Sequence, residues 1–134
     1  MFIDASAMVA IITKEPGNVA LSRAIDSAAQ CITSPLAIWE TASGISRKAR
    51  SAARLELPVI EEFLQQAEIA IETVDMGISR AALDAFDRYG RGSGHPAQLN
   101  MGDCFAYAFA KNRGVSLLYV GNDFTQTDVM RAIA

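Results

Sequence analysis

Short apolar runs alternate along the chain with longer stretches in which apolar residues recur at helical spacing. The first run, MFID, lacks the alternation of apolar and polar positions that marks a half-exposed strand, and this is typical of a strand covered on both faces. Three further runs predict strands at residues 30–33, 69–71 and 116–120. Strands that alternate with helices pair in parallel, so we expect a three-layer α/β/α sandwich with a mostly parallel central sheet.

Capping residues indicate where the predicted helices begin and end. Ser6 is expected to cap the first helix, which Pro16-Gly17 would terminate. Ser34 is expected to cap the third helix, with Pro35 at its first position, where a missing N–H group has no cost. Gly114 is expected to end the last helix. The helices after the first are predicted at residues 18–29, 35–50, 58–67, 79–89 and 100–111.

Apolar spacing within the helices predicts which side chains enter the core. The stretch GRGSGHP is predicted to be a loop, because glycine and proline disrupt helix interiors. On the helix that precedes it, the residues expected to point inward are Ala82, Leu83 and Phe86. On the third helix the expected inward stripe is Ile38, Ala42, Ile45 and Ala49. The aromatic residues expected in the core are Trp39, Phe63, Phe86, Phe105 and Phe109.

The composition narrows the class of protein. Hydrophobic residues make up 51% and charged residues 20% of the 134 positions, which excludes a disordered chain. A net charge of −3 excludes a surface that is basic throughout, while a local basic stripe stays compatible with it. One histidine and two cysteines are too few for an ordinary zinc site or a disulfide framework. No run approaches the ~20 apolar residues that span a bilayer, and signal-peptide features are lacking. We therefore expect one cytoplasmic domain over residues 1–134, without membrane contact.

Acidic residues follow or flank several of the predicted strands. Asp4 ends the first strand, Glu40 lies in the helix after the second, Asp103 begins the helix before the fourth, and Asp123 follows the fourth. Because ligands bind at the carboxyl ends of parallel strands, we expect these carboxylates to meet at one edge of the sheet. Each acid also has a purely structural interpretation: a helix cap for Asp4, a solvated helix face for Glu40, a favourable helix dipole for Asp103 and a tight turn for Asp123.

A fifth acid, Asp128, is expected to be solvated. Clustered carboxylates repel one another, and a divalent cation among them would relieve the repulsion. Because only oxygen ligands are on offer, the cation is expected to be Mg²⁺, with Mn²⁺ as the alternative. Such a cation can activate water and neutralise a phosphate, so the predicted reaction is phosphodiester hydrolysis.

Four segments of the chain carry motifs: MFIDASA at the N-terminus, TSPLAIWE, the long stretch GSGHPAQLNMGDCFAYA, and GNDF followed by TD near the C-terminus. Together they resemble the PIN-domain ribonucleases, and in particular the VapC-type toxins of bacterial toxin–antitoxin pairs. The resemblance implies a PIN-like fold and a Mg²⁺-dependent endoribonuclease that inhibits translation and growth. It also implies a VapB-type antitoxin as partner, with RNA as substrate.

By position, the resemblance assigns catalytic roles to Asp4, Glu40, Asp103 and Asp123. Asp4 and Asp103 take the places of metal ligands, and Glu40 and Asp123 would contribute directly or through water. Many PIN domains carry an acid where this chain has Gly121, so either Asp123 supplies the fourth carboxylate or Asn122 contributes a neutral oxygen. Ser6 corresponds to a small hydroxyl residue that supports the metal site, beside its expected role as a helix cap.

Other features are compatible with a function without requiring one. The basic run Arg47, Lys48, Arg50 and Arg54 is interpreted either as a solvated helix face or as a contact for RNA phosphates. His95 lies in the glycine loop, and we interpret it as structural. The apolar composition also fits a surface for an antitoxin helix and for a second copy of the chain, so a homodimer and a toxin–antitoxin hetero-oligomer are expected.

Two alternatives differ from this interpretation. Phosphoryl transfer through an aspartyl-phosphate requires an acidic pair or an Asp-x-Asp motif after the first strand, and the segment Asp4-Ala5-Ser6 supplies a single acid. The second alternative is a catalytically inactive PIN-fold module that acts through protein or RNA binding. The three main acids are intact, which favours the enzyme.

Overall fold

The computed structural model describes residues 1–133, which contain one four-stranded sheet in the order β3-β2-β1-β4. Its strands are β1 (Phe2–Ile3), β2 (Cys31–Thr33), β3 (Ile69–Ile71) and β4 (Leu117–Leu118). All three pairings are parallel, with Phe2 opposite both Ile32 and Leu117. The carboxyl ends of the four strands therefore meet at one edge, which is the arrangement that the alternating pattern predicts.

Six helices cover the two faces of the sheet in residues 1–133. They are α1 (Ala5–Ile12), α2 (Asn18–Asp26), α3 (Pro35–Ala49), α4 (Leu57–Gln66), α5 (Met76–Tyr89) and α6 (Met101–Arg113), with a short 3-10 helix (Ala53–Glu56) before α4. Because parallel crossovers are right-handed, the helices that link β1, β2 and β3 share one face, and α5 and α6 take the other. The fold is thus the expected three-layer α/β/α sandwich. None of these helices is both long and apolar enough to cross a membrane.

The central strands are buried because helices cover both of their faces. Phe2, Ile3, Leu117 and Leu118 have no solvent-exposed surface. The ring of Phe2 stacks on Phe109 of α6 with 5.1 Å between centroids. This confirms that the run MFID lacks alternation because neither face of β1 meets water.

The C-terminal segment extends the sheet beyond β4, which the sequence pattern did not predict. The amide of Leu117 donates to the carbonyl of Met130 at 2.8 Å, and the amide of Ala132 donates to the carbonyl of Leu117 at 3.0 Å. Asp128 anchors this segment, because its carboxylate accepts hydrogen bonds from the Tyr107 hydroxyl at 2.5 Å and from Lys111 Nζ at 3.2 Å. Asp128 is exposed, as expected, and it also fastens the C-terminal segment to α6 through these hydrogen bonds.

Helix caps follow the predictions except at α1. Ser34 Oγ accepts from the Ala37 amide at 3.2 Å, and Gly114 ends α6 with a left-handed backbone at φ 63°. At α1 the N-cap is Asp4, and the helix begins at Ala5, one residue before the expected cap. The Asp4 carboxylate accepts a hydrogen bond from the Ser6 amide at 2.9 Å. Asp4 is therefore the capping residue, and Ser6 lies within the first turn that it caps.

Three large side chains that were expected in the core lie at the surface. Trp39 is 66% exposed, Leu83 64% and Phe86 45%. The buried stripe of α5 consists of Ile78, Ala82, Ala85 and Tyr89. Because the small side chains face α6, the two helices approach closely, and the larger neighbours on the adjacent stripe are left outside. Ala49, the last member of the stripe predicted on α3, is also exposed.

Candidate acidic site

A pocket of about 320 Å³ opens at the carboxyl edge of the sheet. Four carboxylates predicted from the sequence line it: Asp4, Glu40, Asp103 and Asp123. They come from the end of β1, from α3, from the first turn of α6 and from the segment after β4. Parallel strand order brings these distant segments together, because β1 lies between β2 and β4.

Asp4 is buried at the back of the pocket, where Ser6 holds it. Asp4 Oδ2 accepts from the Ser6 amide at 2.9 Å and from Ser6 Oγ at 2.5 Å. The same Ser6 oxygen accepts from the Val120 amide at 3.0 Å. Ser6 therefore links Asp4 to the end of β4, close to the segment that carries Asp123. Burial raises the pKa of Asp4, although the Ser6 hydrogen bonds oppose the shift.

Asp103 occupies the third position of α6 in a reciprocal capping arrangement. Its Oδ2 accepts from the Asn100 amide at 2.9 Å, and Asn100 Oδ1 accepts from the Asp103 amide at 2.9 Å. Asp103 thus caps its own helix and lines the pocket as well. Burial raises the pKa of Asp103 to about 6, with a further upward contribution from the charges of Asp4 and Asp123.

Glu40 lies against the backbone of α6 at Gly102. A Cβ atom at Gly102 would overlap the Glu40 carboxylate, so any larger residue there would displace the end of the Glu40 side chain. Burial raises the pKa of Glu40 to about 7, and the charges of Asp4 and Asp103 add to the shift. The three acids therefore act on one another electrostatically, as the prediction of a shared pocket requires.

Asp123 and Asn122 differ in their relation to the pocket. Asp123 lines it, and its charge contributes to the raised pKa values of Asp4 and Asp103. Asn122 is exposed and lies outside the set of lining residues, with its carbonyl accepting from the Thr125 amide at 3.0 Å. Of the two alternatives for the fourth position, the geometry favours Asp123, while the supporting role expected of Asn122 has no counterpart in the pocket.

Two residues near Asp103 were not singled out from the sequence. Gly102 directly precedes Asp103 and Asn100 lies three residues before it, and their signals were a glycine in the first turn of a helix and an asparagine at its N-cap. Arg47 lines the pocket seven residues after Glu40, a spacing that returns to the same helix face. His95 lies in the glycine loop, where its Nδ1 accepts from the Ala97 amide at 3.1 Å and its ring contacts Tyr89 edge-on.

The chemistry of the pocket fits a hard divalent cation. The potential ligands are carboxylate oxygens. Their pKa values are raised, because it is unfavourable to bring several negative charges together in a partly buried pocket. Within residues 1–133, no three acidic, histidine or cysteine side chains are close enough to enclose an ion alone. Mg²⁺ is commonly held by one or two carboxylates together with water and substrate oxygens, so such a partial ligand set suits it.

Comparisons with known proteins agree with this geometry. The PIN domain family model matches residues 1–130. VapC ribonuclease R02377 of Rhizobium meliloti (strain 1021) is 40% identical over 139 residues, which cover 96% of this chain and 98% of the relative. Ribonuclease VapC42 of Mycobacterium tuberculosis (strain ATCC 25618 / H37Rv) is 38% identical, with 98% of each chain covered.

A solved structure shares the fold at low sequence identity. The crystal structure of Mycobacterium tuberculosis VapC20, described as a Sarcin-Ricin loop cleaving toxin, superposes with a TM-score of 0.75 at 14% identity. The match covers 96% of this chain and 95% of that one. At this identity the likeness concerns the arrangement of helices and strands.

Proposed function

The chain belongs to the PIN-domain family, and from that premise we propose that it is a metal-dependent endoribonuclease, the toxin of a VapBC-type toxin–antitoxin pair. The observation that carries the proposal is the meeting of four carboxylates in one pocket at the carboxyl edge of the sheet. Relatives named VapC ribonucleases align over nearly the whole chain, which supports an RNA substrate.

In the proposed mechanism, Asp4 and Asp103 hold Mg²⁺, for which Mn²⁺ could substitute. The bound cation supplies an activated water and neutralises charge on the phosphodiester. Ser6 orients Asp4, and the backbone of Asn100 orients Asp103, so both carboxylates are fixed before substrate arrives. This preorganisation lowers the cost of reaching the reactive geometry.

Glu40 and Asp123 complete the proposed site from opposite sides. Glu40 is held over Gly102, and Asp123 follows the strand to which Ser6 is bonded. Either carboxylate can orient a water molecule or accept its proton when hydrolysis begins. In the metal-free pocket, burial and the charges of Asp4 and Asp103 raise the pKa of Glu40 to about 7.

We also propose a VapB-type antitoxin as the partner that silences the enzyme. Large apolar side chains are exposed on the two helices that carry acids of the pocket: Trp39 precedes Glu40 on α3, and Met101 precedes Gly102 on α6. A further groove between α5 and α6, lined by Leu83, Phe86 and Phe105, fits an apolar helix of the antitoxin or of a second copy. Both toxin–antitoxin hetero-oligomers and a homodimer are compatible with these surfaces.

The direct test incubates the purified protein with total cellular RNA, with Mg²⁺ or with a chelator, and sequences the new RNA ends. We expect discrete cleavage sites that need the cation and disappear in Asp103→Asn. Asp128→Asn is the matched control, because it removes an equal charge from a carboxylate outside the pocket. Intact RNA after incubation of the folded protein with Mg²⁺ or Mn²⁺ would favour the inactive binding module instead.

A further inference from the structure

The acidic pocket extends beyond its carboxylates along α3. Gly44 and Arg47 line this extension, and they follow Glu40 on the same face of the helix. With a rise of about 1.5 Å per residue, Arg47 begins roughly 10 Å along the axis from Glu40. The pocket is therefore a cleft with acids at one end and a guanidinium group at the other.

The charge at the Arg47 end of the cleft is positive. Residues 1–133 contain three ion pairs, namely Lys48–Glu15, Lys111–Asp128 and Arg113–Glu72, and Arg47 takes part in none of them. Glu15 also lines the cleft, but its carboxylate is paired with Lys48, the neighbour of Arg47. Lys48 thus offsets the negative charge of Glu15, which would otherwise repel an anion or attract Arg47.

Between the two ends, the cleft is lined by Val9 and Gly44, neither of which has a polar side chain. Val9 belongs to α1 and Gly44 to α3, and a Cβ atom at Gly44 would come within 3.1 Å of Val9 Cγ2. The two helices thus approach closely at this point, and no long side chain rises from α3 between Glu40 and Arg47 on that face. Such a surface accepts a flat or apolar group without burying an unpaired polar atom.

We propose that Arg47 binds a backbone phosphate of the RNA that flanks the phosphodiester held at the acids, with the intervening nucleotide lying over Val9 and Gly44. This inference rests on the proposed function and specifies the path of its substrate along α3. Guanidinium groups bind phosphate oxygens in a bidentate manner, and phosphate contacts supply much of the affinity for nucleic acids. A chain with a net charge of −3 needs such a local cation where RNA enters.

The structure distinguishes Arg47 from the other members of the basic run. Lys48 is paired with Glu15, and Arg50 lies at the C-terminal end of α3 in a left-handed backbone conformation. Arg54 lies in the 3-10 helix, is exposed and does not line the cleft. Arg54→Ala is therefore a matched control, because it removes the same charge from a nearby site outside the cleft.

The test measures RNA binding in an Asp103→Asn background, so that cleavage does not interfere. A short fluorescein-labelled single-stranded RNA of mixed sequence is titrated at several KCl concentrations, and affinity is read from fluorescence anisotropy. We expect Arg47→Ala to weaken binding about three- to tenfold and to reduce the slope of log affinity against log salt by about 0.7. Arg47→Lys should retain the slope with weaker binding, since lysine keeps the charge without the bidentate geometry.

Each result either supports or overturns the inference. Equal losses in Arg47→Ala and Arg54→Ala would indicate only the long-range field of the protein, and no loss in either would mean that the RNA does not reach Arg47. Both results overturn the proposal. Because Arg47 is exposed, we expect Arg47→Ala to leave the circular dichroism spectrum and the melting temperature unchanged. Both are measured so that a loss of RNA binding can be distinguished from unfolding.

Failure of this inference differs from failure of the proposed function. If the wild-type protein cleaves RNA and Arg47→Ala cleaves it with the same KM, the ribonuclease proposal stands and the role of Arg47 is wrong. If the wild-type protein binds RNA through Arg47 but never cleaves it, the ribonuclease proposal is wrong.

Discussion

Asp128 and the acids of the pocket are carboxylates in opposite electrostatic situations. Asp128 accepts hydrogen bonds from Tyr107 and Lys111, and these donors lower its pKa to about 2. Glu40 and Asp103 are partly buried and lie near other carboxylates. Both effects disfavour the charged form, and the pKa values are raised to about 7 for Glu40 and about 6 for Asp103. Both regions lie within the same small fold.

The hydrogen-bond donors around each carboxylate distinguish an acid with a structural role from the acids of the pocket. Asp128 has its donors within the protein, so its charge is already compensated and it fastens the C-terminal segment to α6. The pocket acids have too few protein donors for their charge, and only Asp103 and Asp4 gain partial compensation from backbone amides. This imbalance supports the proposal that the pocket binds a cation.

The largest contrast is expected in RNA cleavage. Asp4→Asn and Asp103→Asn should each reduce the rate by more than about a hundredfold, because loss of a supporting partner alone costs a metal site 10–100-fold. Asparagine keeps a side-chain oxygen at both caps, so folding should persist. Asp128→Asn should cleave at nearly the wild-type rate. Single-turnover assays on the mapped RNA give these rates.

The same variants can be compared in cells. Expression without antitoxin should arrest growth for the wild type and for Asp128→Asn, and it should not do so for Asp4→Asn or Asp103→Asn. Arrest that persists in both pocket variants at matched protein levels would disconnect toxicity from the acids.

The next effect is expected at Gly102, which touches the pocket only through Glu40. Gly102→Ala should displace the Glu40 carboxylate and slow cleavage by roughly tenfold or more, since misplacements of about 1 Å can cost a hundredfold. Helix propensity alone would instead make the alanine variant slightly more stable.

A double variant tests whether the clash is the cause. In a Glu40→Ala background the added methyl group fits the vacated space, so Gly102→Ala should produce no further loss of activity or melting temperature. Independent, additive losses would mean that Gly102 acts on the site by another route.

A moderate effect is expected on stability when Mg²⁺ is added. Binding to the folded state alone stabilises it by RT ln(1 + [L]/Kd), which is about 2.7 kcal/mol at a hundredfold excess over Kd. Thermal melts should show this gain in the wild type and in Asp128→Asn, whereas Asp103→Asn should respond weakly. Without metal, Asp103→Asn should melt above the wild type because one repelling charge is removed. An equal Mg²⁺ response in all three proteins contradicts Asp103 as a ligand.

The smallest contrast concerns pH. The raised pKa values of Glu40 and Asp103 mean that the folded state binds more protons than the unfolded state between about pH 4 and 7. Stability of the metal-free protein should therefore fall as pH rises through that window. Asp128 has a lowered pKa, so its contribution is present above about pH 4 and is lost as pH falls toward 2.

Melting temperatures measured at a series of pH values, with a chelator present, distinguish the contribution of the pocket acids from that of Asp128. Glu40→Gln should flatten the decline between about pH 4 and 7, whereas Asp128→Asn should change the profile only at lower pH. The Asp128 effect should be small, because its side chain is 48% exposed and screened by solvent. A profile that Glu40→Gln leaves unchanged would contradict the raised pKa.

Prediction from the sequence succeeded where short-range patterns carry the information. The parallel sheet follows from the alternation of apolar runs with helices, and the caps at Ser34 and Gly114 follow from residue type. Asp4, Glu40, Asp103 and Asp123 could be assigned to one edge, because each lies near the end of a predicted strand or the start of a helix.

Prediction failed where two segments that are distant in the chain decide the outcome. Leu83 and Phe86 have helical spacing suited to a core, but the close approach of α6 selects the small side chains of Ala82 and Ala85 instead. Trp39 is apolar and lies beside buried residues, yet no element of residues 1–133 buries its face of α3. The spacing of apolar residues therefore predicts the buried face of a helix only to within about one neighbouring residue.

Local patterns in the sequence were therefore enough to predict the layers of the fold and the acids that meet at one edge of the sheet. Three contacts were visible only in the folded chain: Ser6 joins Asp4 to Val120, Gly102 leaves space for the Glu40 carboxylate, and Asp128 accepts a hydrogen bond from Tyr107. The folded chain also sets Arg47 apart from its basic neighbours. Helix propensity and capping depend on residues a few positions apart, so the sequence reveals them directly. The other contacts join segments far apart in the chain, and they exist only after the strands have paired and brought those side chains within bonding distance.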